Sequence, residues 1–167
     1  RTIIDSLRNH LVNLYGKDPI KHYANLHIYI SEDSLADLQI KQSEVKSEIM
    51  SFLRFMPGIH KTIDADWLVS GNVTDELMQM FMRGYDPHRC GDIIIFLKPG
   101  WVNMSWSDRG TSHGAVYTYD THVPMLFYGK NIPAGFSYDK KSPSHIAATL
   151  SALMGIMPPS GCIVEPL

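Results

Sequence analysis

The sequence is poor in the features that usually announce a class. It has two cysteines in 167 residues, Cys90 and Cys162, and no C-x-x-C pair. That excludes a disulfide framework and a thiol-based metal knuckle, and the two read as small packing residues, with one bridge as the alternative. No apolar run reaches the roughly 20 residues a membrane-spanning helix needs. Charge is scarce too: 19% of residues are charged and the formal net charge is −2. No field of one sign is present to draw nucleic acid or an anionic membrane. G-x-S-x-G, H-E-x-x-H and the glycine-rich loops of P-loop and Rossmann proteins are all missing, and so are repeats and low-complexity tracts. The chain opens on Arg1 rather than methionine. That start reads as an internal boundary, so the lack of a signal peptide says nothing about compartment.

What is present suits one domain or a large piece of one, since 44% of residues are hydrophobic. Helical spacing of Leu7, Leu11, Val12 and Leu14 predicts a helix over 5–15, stopped by Gly16. Residues 26–30 read as a strand and 31–34 as a turn. Val45, Ile49, Phe52 and Leu53 predict a helix over 43–55 with lysine and glutamate on its outer face, ended by Pro57-Gly58. Ile59, Lys61, Ile63 and Ala65 alternate weakly, as a short strand would. Thr74 is a candidate cap for a helix over 75–83, whose methionines and Phe81 read as core filling. Residues 85–92 form a polar turn carrying His88. The run 93–97, IIIFL, reads as a strand buried on both faces, as in a parallel or mixed sheet covered by helices. Residues 101–106 read as an edge strand or loop. Ser142, Pro143 and Gly155 mark a last helix with Ile146, Ala147, Leu150, Leu153 and Met154 on its apolar face. Strands interleaved with amphipathic helices predict an α/β fold.

Chemistry concentrates in residues 110–129, GTSHGAVYTYDTHVPMLFYG. Its polar half holds His113, Asp120 and His122 between glycines. Its apolar half, 123–128, reads as a short buried strand. A neutral imidazole is a good zinc ligand, and an aspartate can ligate or hold a histidine by accepting its second N–H. The spacing H-x₈-H matches no standard zinc motif, and zinc needs three or four protein ligands. No nucleophile is evident: Thr111 and Ser112 adjoin His113, but adjacent side chains in an extended loop point apart. One reading of the residues is a metal site from His88, Asp108, His113 and His122.

The 110–129 stretch closely resembles the late metal-binding segment of the alkaline phosphatase superfamily, nearest its phosphate-irrepressible and nucleotide pyrophosphatase/phosphodiesterase branch. Gly84-Tyr85, Arg89-Cys90-Gly91-Asp92, Lys98-Pro99-Gly100-Trp101, the helix around Ser144-His145-Ile146-Ala147 and the closing Pro159-Ser160-Gly161 fit the same family. The match lies in 84–167, with 1–83 a variable stretch before it. The resemblance implies the C-terminal part of a layered sheet, mostly parallel, with flanking helices and two zinc ions at the strand ends. It also implies a periplasmic or secreted enzyme hydrolysing phosphate mono- or diesters. The family's nucleophile and most of its ligands precede this part. Only the histidine of the H-G element carries over, onto His113. Asp120 and His122 belong to a neighbouring element and support a ligand or substitute for one. The fragment is then expected to be inactive alone and to expose core that promotes self-association. The alternative is a non-catalytic binding or structural module derived from that fold.

Overall fold

The computed structural model describes residues 2–69, 75–103, 113–130 and 132–167. The chain divides into two compact units, Arg1–Pro124 and Met125–Leu167.

The first unit opens with α1 (Ile3–Tyr15). Thr2 accepts a hydrogen bond from the Asp5 amide while the Asp5 carboxylate accepts from the Thr2 amide, so Asp5 closes a capping box rather than starting the helix. Gly16, left-handed at φ 79°, ends it. Strands β1 (Ile20–Ala24) and β2 (His27–Ile30) form an antiparallel hairpin. Its two turn residues, Asn25 and Leu26, both have positive φ, 49° and 67°. That is the turn whose twist matches a hairpin, here without the usual glycine, and so β1 carried no clear sequence signal. The expected turn at 31–34 is instead the start of α2 (Glu32–Leu38), capped by the Ser31 hydroxyl on the Ser34 amide.

Next come α3 (Gln42–Arg54), β3 (Ile59–Asp64), α4 (Asp66–Val69), α5 (Glu76–Met82), β4 (Ile93–Leu97) and the short α6 (Thr118–Thr121). The cap of α5 is Asp75, whose carboxylate accepts from the Leu77 and Met78 amides; Thr74 lies outside the described residues. The sheet order is β1-β2-β4-β3, and every pairing is antiparallel. This corrects the parallel or mixed expectation for β4. The run IIIFL does report burial on both faces, but burial says nothing of strand direction.

One face of the sheet, with Ile28, Ile30, Ile93 and Ile95, packs with Leu7 and Leu11 of α1 and Val45, Ile49 and Leu53 of α3. The other, with Ile63, Ile94 and Phe96, packs with Leu68 and partly buried Leu77, Met78, Phe81 and Met82. Each fully buried aliphatic side chain contributes about 1.5–3 kcal/mol of burial. An irregularity between Ile59 and Lys61 lets Ile59 join the first core and Ile63 the second, although the two alternate in phase along the sequence. Met80, by contrast, is exposed. Lys46, expected on the outer face of α3, is buried, its ammonium on Asp64 and Asp66.

Among the described residues the second unit holds one helix, α7 (Ser144–Met154), ended by left-handed Gly155. Pro143 takes the cap position, one residue after the expected Ser142, and no side chain caps the helix. Thr149 donates to the His145 carbonyl and accepts from the Leu167 amide. The helix buries Ala148, Thr149 and Ser151, whereas Ile146, Leu150, Leu153 and Met154 of the expected core face are exposed. Residues 123–128 do not form the expected strand; Leu126 is 87% exposed and Tyr128 fully so. Apolar character marks a wish to be buried, but a strand also needs a neighbour's backbone groups, and the four-stranded sheet does not include this run.

Candidate functional site

The site grows from the C-terminal end of β4. Beyond Leu97 the chain turns at Lys98–Gly100, as expected, and Trp101 folds its ring over Gly58. Gly58 has φ 83°, and a Cβ there would fall 2.3 Å from Trp101 Cε3, so only glycine lets the ring lie so close. Residues 113–117 then lead into α6. The Tyr117 hydroxyl donates to the Leu97 carbonyl at 2.6 Å. The Tyr119 hydroxyl accepts from the Gly100 amide at 3.2 Å. The two tyrosine rings stack with centroids 5.7 Å apart. Both tyrosines thus pin α6 to the end of the sheet. Burial, and then the neighbouring Tyr119, push the Tyr117 phenol above its ordinary pKa, which keeps it a proton donor to that carbonyl.

Within this frame His113 sits exposed on the loop, followed by Gly114 at φ 96°. The Asp120 carboxylate accepts the Ala115 amide at 2.6 Å and closes the loop onto α6. Asp120 therefore reaches the backbone beside His113. His122 is the exposed residue ending α6, its amide bonded to the Thr118 carbonyl. A cavity of about 370 Å³ collects His113, Asp120, Trp101, Asn103, Tyr117 and Tyr119. The structure thus brings His113 and Asp120 to one cavity; His122 and His88 are not among the described residues lining it. Sequence reasoning passed over the aromatic side chains here. The alternation Tyr117-x-Tyr119 was the available signal, whereas the Gly58–Trp101 contact joins residues 43 positions apart and left none.

Among the described residues, no three histidines, cysteines or acids stand close enough to hold a metal ion. Thr111, Ser112 and Asp108 lie outside those residues. His88 is an exposed turn residue whose amide bonds the Asp86 carboxylate. Other histidines have packing roles: His10 meets Glu48 at 2.6 Å and stacks on Phe52, and His27 Nδ1 accepts the Gly91 amide. Cys90 and Cys162 are free, half-buried thiols. Among the described residues His113 is the one imidazole lining this cavity, and with Asp120 it makes fewer donors than a metal ion needs.

No family model matches the chain. It is 30% identical over 154 residues to the alkaline phosphatase PafA of Elizabethkingia meningoseptica, covering 92% of this chain and 28% of that protein, in its C-terminal portion. It is 29% identical over 139 residues to the alkaline phosphatase PhoV of Synechococcus elongatus, covering 83% of this chain and 25% of that one. A protein of Myroides odoratus named calcium-transporting ATPase is 26% identical over 168 residues, covering all of this chain and 31% of that one. The crystal structure of wild-type PafA superposes with a TM-score of 0.86 at 29% identity, over 98% of this chain and 31% of that one. The chain thus spans less than a third of the length of the relatives it matches.

Proposed function

This chain is homologous to the C-terminal portion of alkaline phosphatases, and from that premise we propose that it is the late metal-ligand segment of a longer phosphate-ester hydrolase. His113 is a zinc ligand in this reading, completing a site whose other ligands and nucleophile lie on preceding chain. The observation that carries it is the bracing of the His113 loop by Asp120, Tyr117 and Tyr119 at the end of the central strand β4. A pre-positioned loop favours ligation, and the Asp120–Ala115 bond, on an α6 pinned by the two tyrosines, supports this reading.

Zinc held by His113 together with ligands on the longer polypeptide would supply charge stabilisation for phosphoryl transfer. This chain's own part is narrower. His113 would supply a ring nitrogen, Gly114 takes the left-handed bend beside it, and Asp120 holds the Ala115 amide. Asp120 supports the ligand rather than replacing it, and His122 is the weaker ligand candidate because it stands off the cavity. One imidazole cannot build the site, so the isolated chain is inactive in this reading. The exposed apolar residues of α7 and 123–128 would promote its self-association. The choice between monoesters and diesters is open to groups near the phosphate. ATP hydrolysis, named for one relative, is the same attack at phosphorus. A periplasmic or secreted place rests on the family resemblance; among the described residues no helix is long and apolar enough to cross a membrane.

The test replaces His113 with alanine in the longer polypeptide and measures zinc content and phosphatase turnover. Loss of about one zinc equivalent with collapse of turnover is expected. Full zinc content in the variant, or turnover of a phosphate ester by the isolated 167-residue chain, would overturn the reading.

A further inference from the structure

We infer that the cavity beside His113 receives the flat aromatic ring of a phosphate-ester substrate, with Trp101 and Tyr119 as its specificity-determining residues. The inference rests on the phosphatase reading for the word substrate, and on the cavity alone for the ring. The cavity, at about 370 Å³, is large enough for a small organic group. Among the described residues, five aromatic side chains line it: Phe81, Phe96, Trp101, Tyr117 and Tyr119. Each is already fixed. Trp101 lies over Gly58, Tyr117 is bonded to Leu97 and Tyr119 to Gly100, and Phe81 meets Phe96 edge-on with centroids 4.9 Å apart. Rings fixed before binding lose little freedom when a ligand stacks on them. Trp101 and Tyr119 also remain 49% and 62% exposed, so their surface is open to a ligand.

The described lining suits a neutral ring. No lysine or arginine is among the described lining residues, and the one acid, Asp120, is engaged with the Ala115 amide. A neutral ring meets aromatic surface on these described residues. Asn25 and Asn103 add amide groups to the same wall, able to donate and accept at the edge of a heteroaromatic ring. Two sources share this chemistry, a nucleobase and a simple aryl group.

The experiment titrates the 167-residue chain, in the presence of a chelator, with adenosine 5′-monophosphate, phenyl phosphate and glycerol 1-phosphate, and follows the side-chain resonances of Trp101 and Tyr119. At least one aromatic ligand should bind about tenfold more tightly than glycerol phosphate and shift both residues. Preference for both aromatic ligands assigns the pocket to flat rings in general. Preference for adenosine monophosphate alone assigns it to nucleobases, and for phenyl phosphate alone to aryl groups. Trp101→Ala should abolish the preference and Trp101→Phe restore part of it. Where Trp101→Ala does not fold, Tyr119→Leu carries the same test. Equal affinity for the three ligands, or a preference unchanged in a folded Trp101→Ala or Tyr119→Leu protein, overturns the inference. Because metal is chelated throughout, failure of His113 to bind zinc in the longer polypeptide would leave this result standing.

Discussion

Replacing Lys46 with methionine removes the one lysine ammonium buried among the described residues of the first unit. Its side chain is 4% exposed and reaches Asp64 at 2.7 Å and Asp66 at 2.6 Å. The two ion pairs are alike in length and unlike in setting. Asp64 is 17% exposed and Asp66 75%. Breaking a buried pair leaves an uncompensated charge and costs about 3–5 kcal/mol, whereas an exposed pair is worth about 0–1 kcal/mol. Asp64 keeps the Asp66 amide as a second partner, so the cost of Lys46→Met falls at the low end, about 3 kcal/mol. Asp64→Asn should lose most of that, and Asp66→Ala less than about 1 kcal/mol. Urea unfolding at constant slope reads the values, and double-mutant cycles with Lys46→Met give the two couplings. Salt at 1 M should shrink the Asp66 coupling more than the Asp64 coupling. Burial draws the Lys46 pKa down, but the two carboxylate hydrogen bonds outweigh it and hold the pKa above its ordinary value. The stabilisation is therefore complete below the unfolded value of about 10.4 and is lost as pH rises through the folded one. Equal couplings for the two aspartates, or a Lys46→Met cost below about 1 kcal/mol, would refute the reasoning that burial rather than distance sets the strength.

Gly58→Ala combines a left-handed backbone with a Cβ driven into the Trp101 ring; a loss of about 2–4 kcal/mol and a shifted Trp101 emission should follow, and an unchanged emission would show that the ring is not held there. Burial lowers the His27 pKa, so its contribution is complete above the unfolded value of about 6.5 and is lost as pH falls through the lower folded value. Protonating Nδ1 also ends its acceptance of the Gly91 amide; unfolding of wild type and His27→Gln between pH 7 and 5 should show the wild type alone carrying this slope, and parallel curves would contradict it. Asp120→Ala should free the Ala115 amide to exchange about tenfold faster, with Asp120→Asn intermediate because it keeps an acceptor. Equal exchange in both variants would mean the carboxylate does not brace the loop.

Much of this was legible in the sequence because it rests on local rules. The helix of 43–55 announces itself by Val45, Ile49 and Leu53, and β4 by five apolar residues in a row. The misses share a cause, which is that the deciding partner lies elsewhere. Lys46 reads as a surface residue until Asp64 and Asp66 meet it. Strand direction in β4 depends on β2 and β3, not on IIIFL itself. The hairpin at Asn25-Leu26 hid because leucine stands where glycine is expected. For the site, His113 and Asp120 were legible as a ligand-type cluster. The aromatic surroundings were not, since Trp101 and Phe81 reach the cavity from separate segments. Among the described residues the apolar side chains at 123–128 and on α7 stay largely exposed, which their sequence pattern did not foretell.

The most direct measurement is a crystal structure of the longer polypeptide grown with zinc, with diffraction recorded at the zinc absorption edge. An anomalous peak about 2.0–2.1 Å from a ring nitrogen of His113 is the predicted result. A fully occupied zinc site from which the His113 ring is turned away would contradict the assignment.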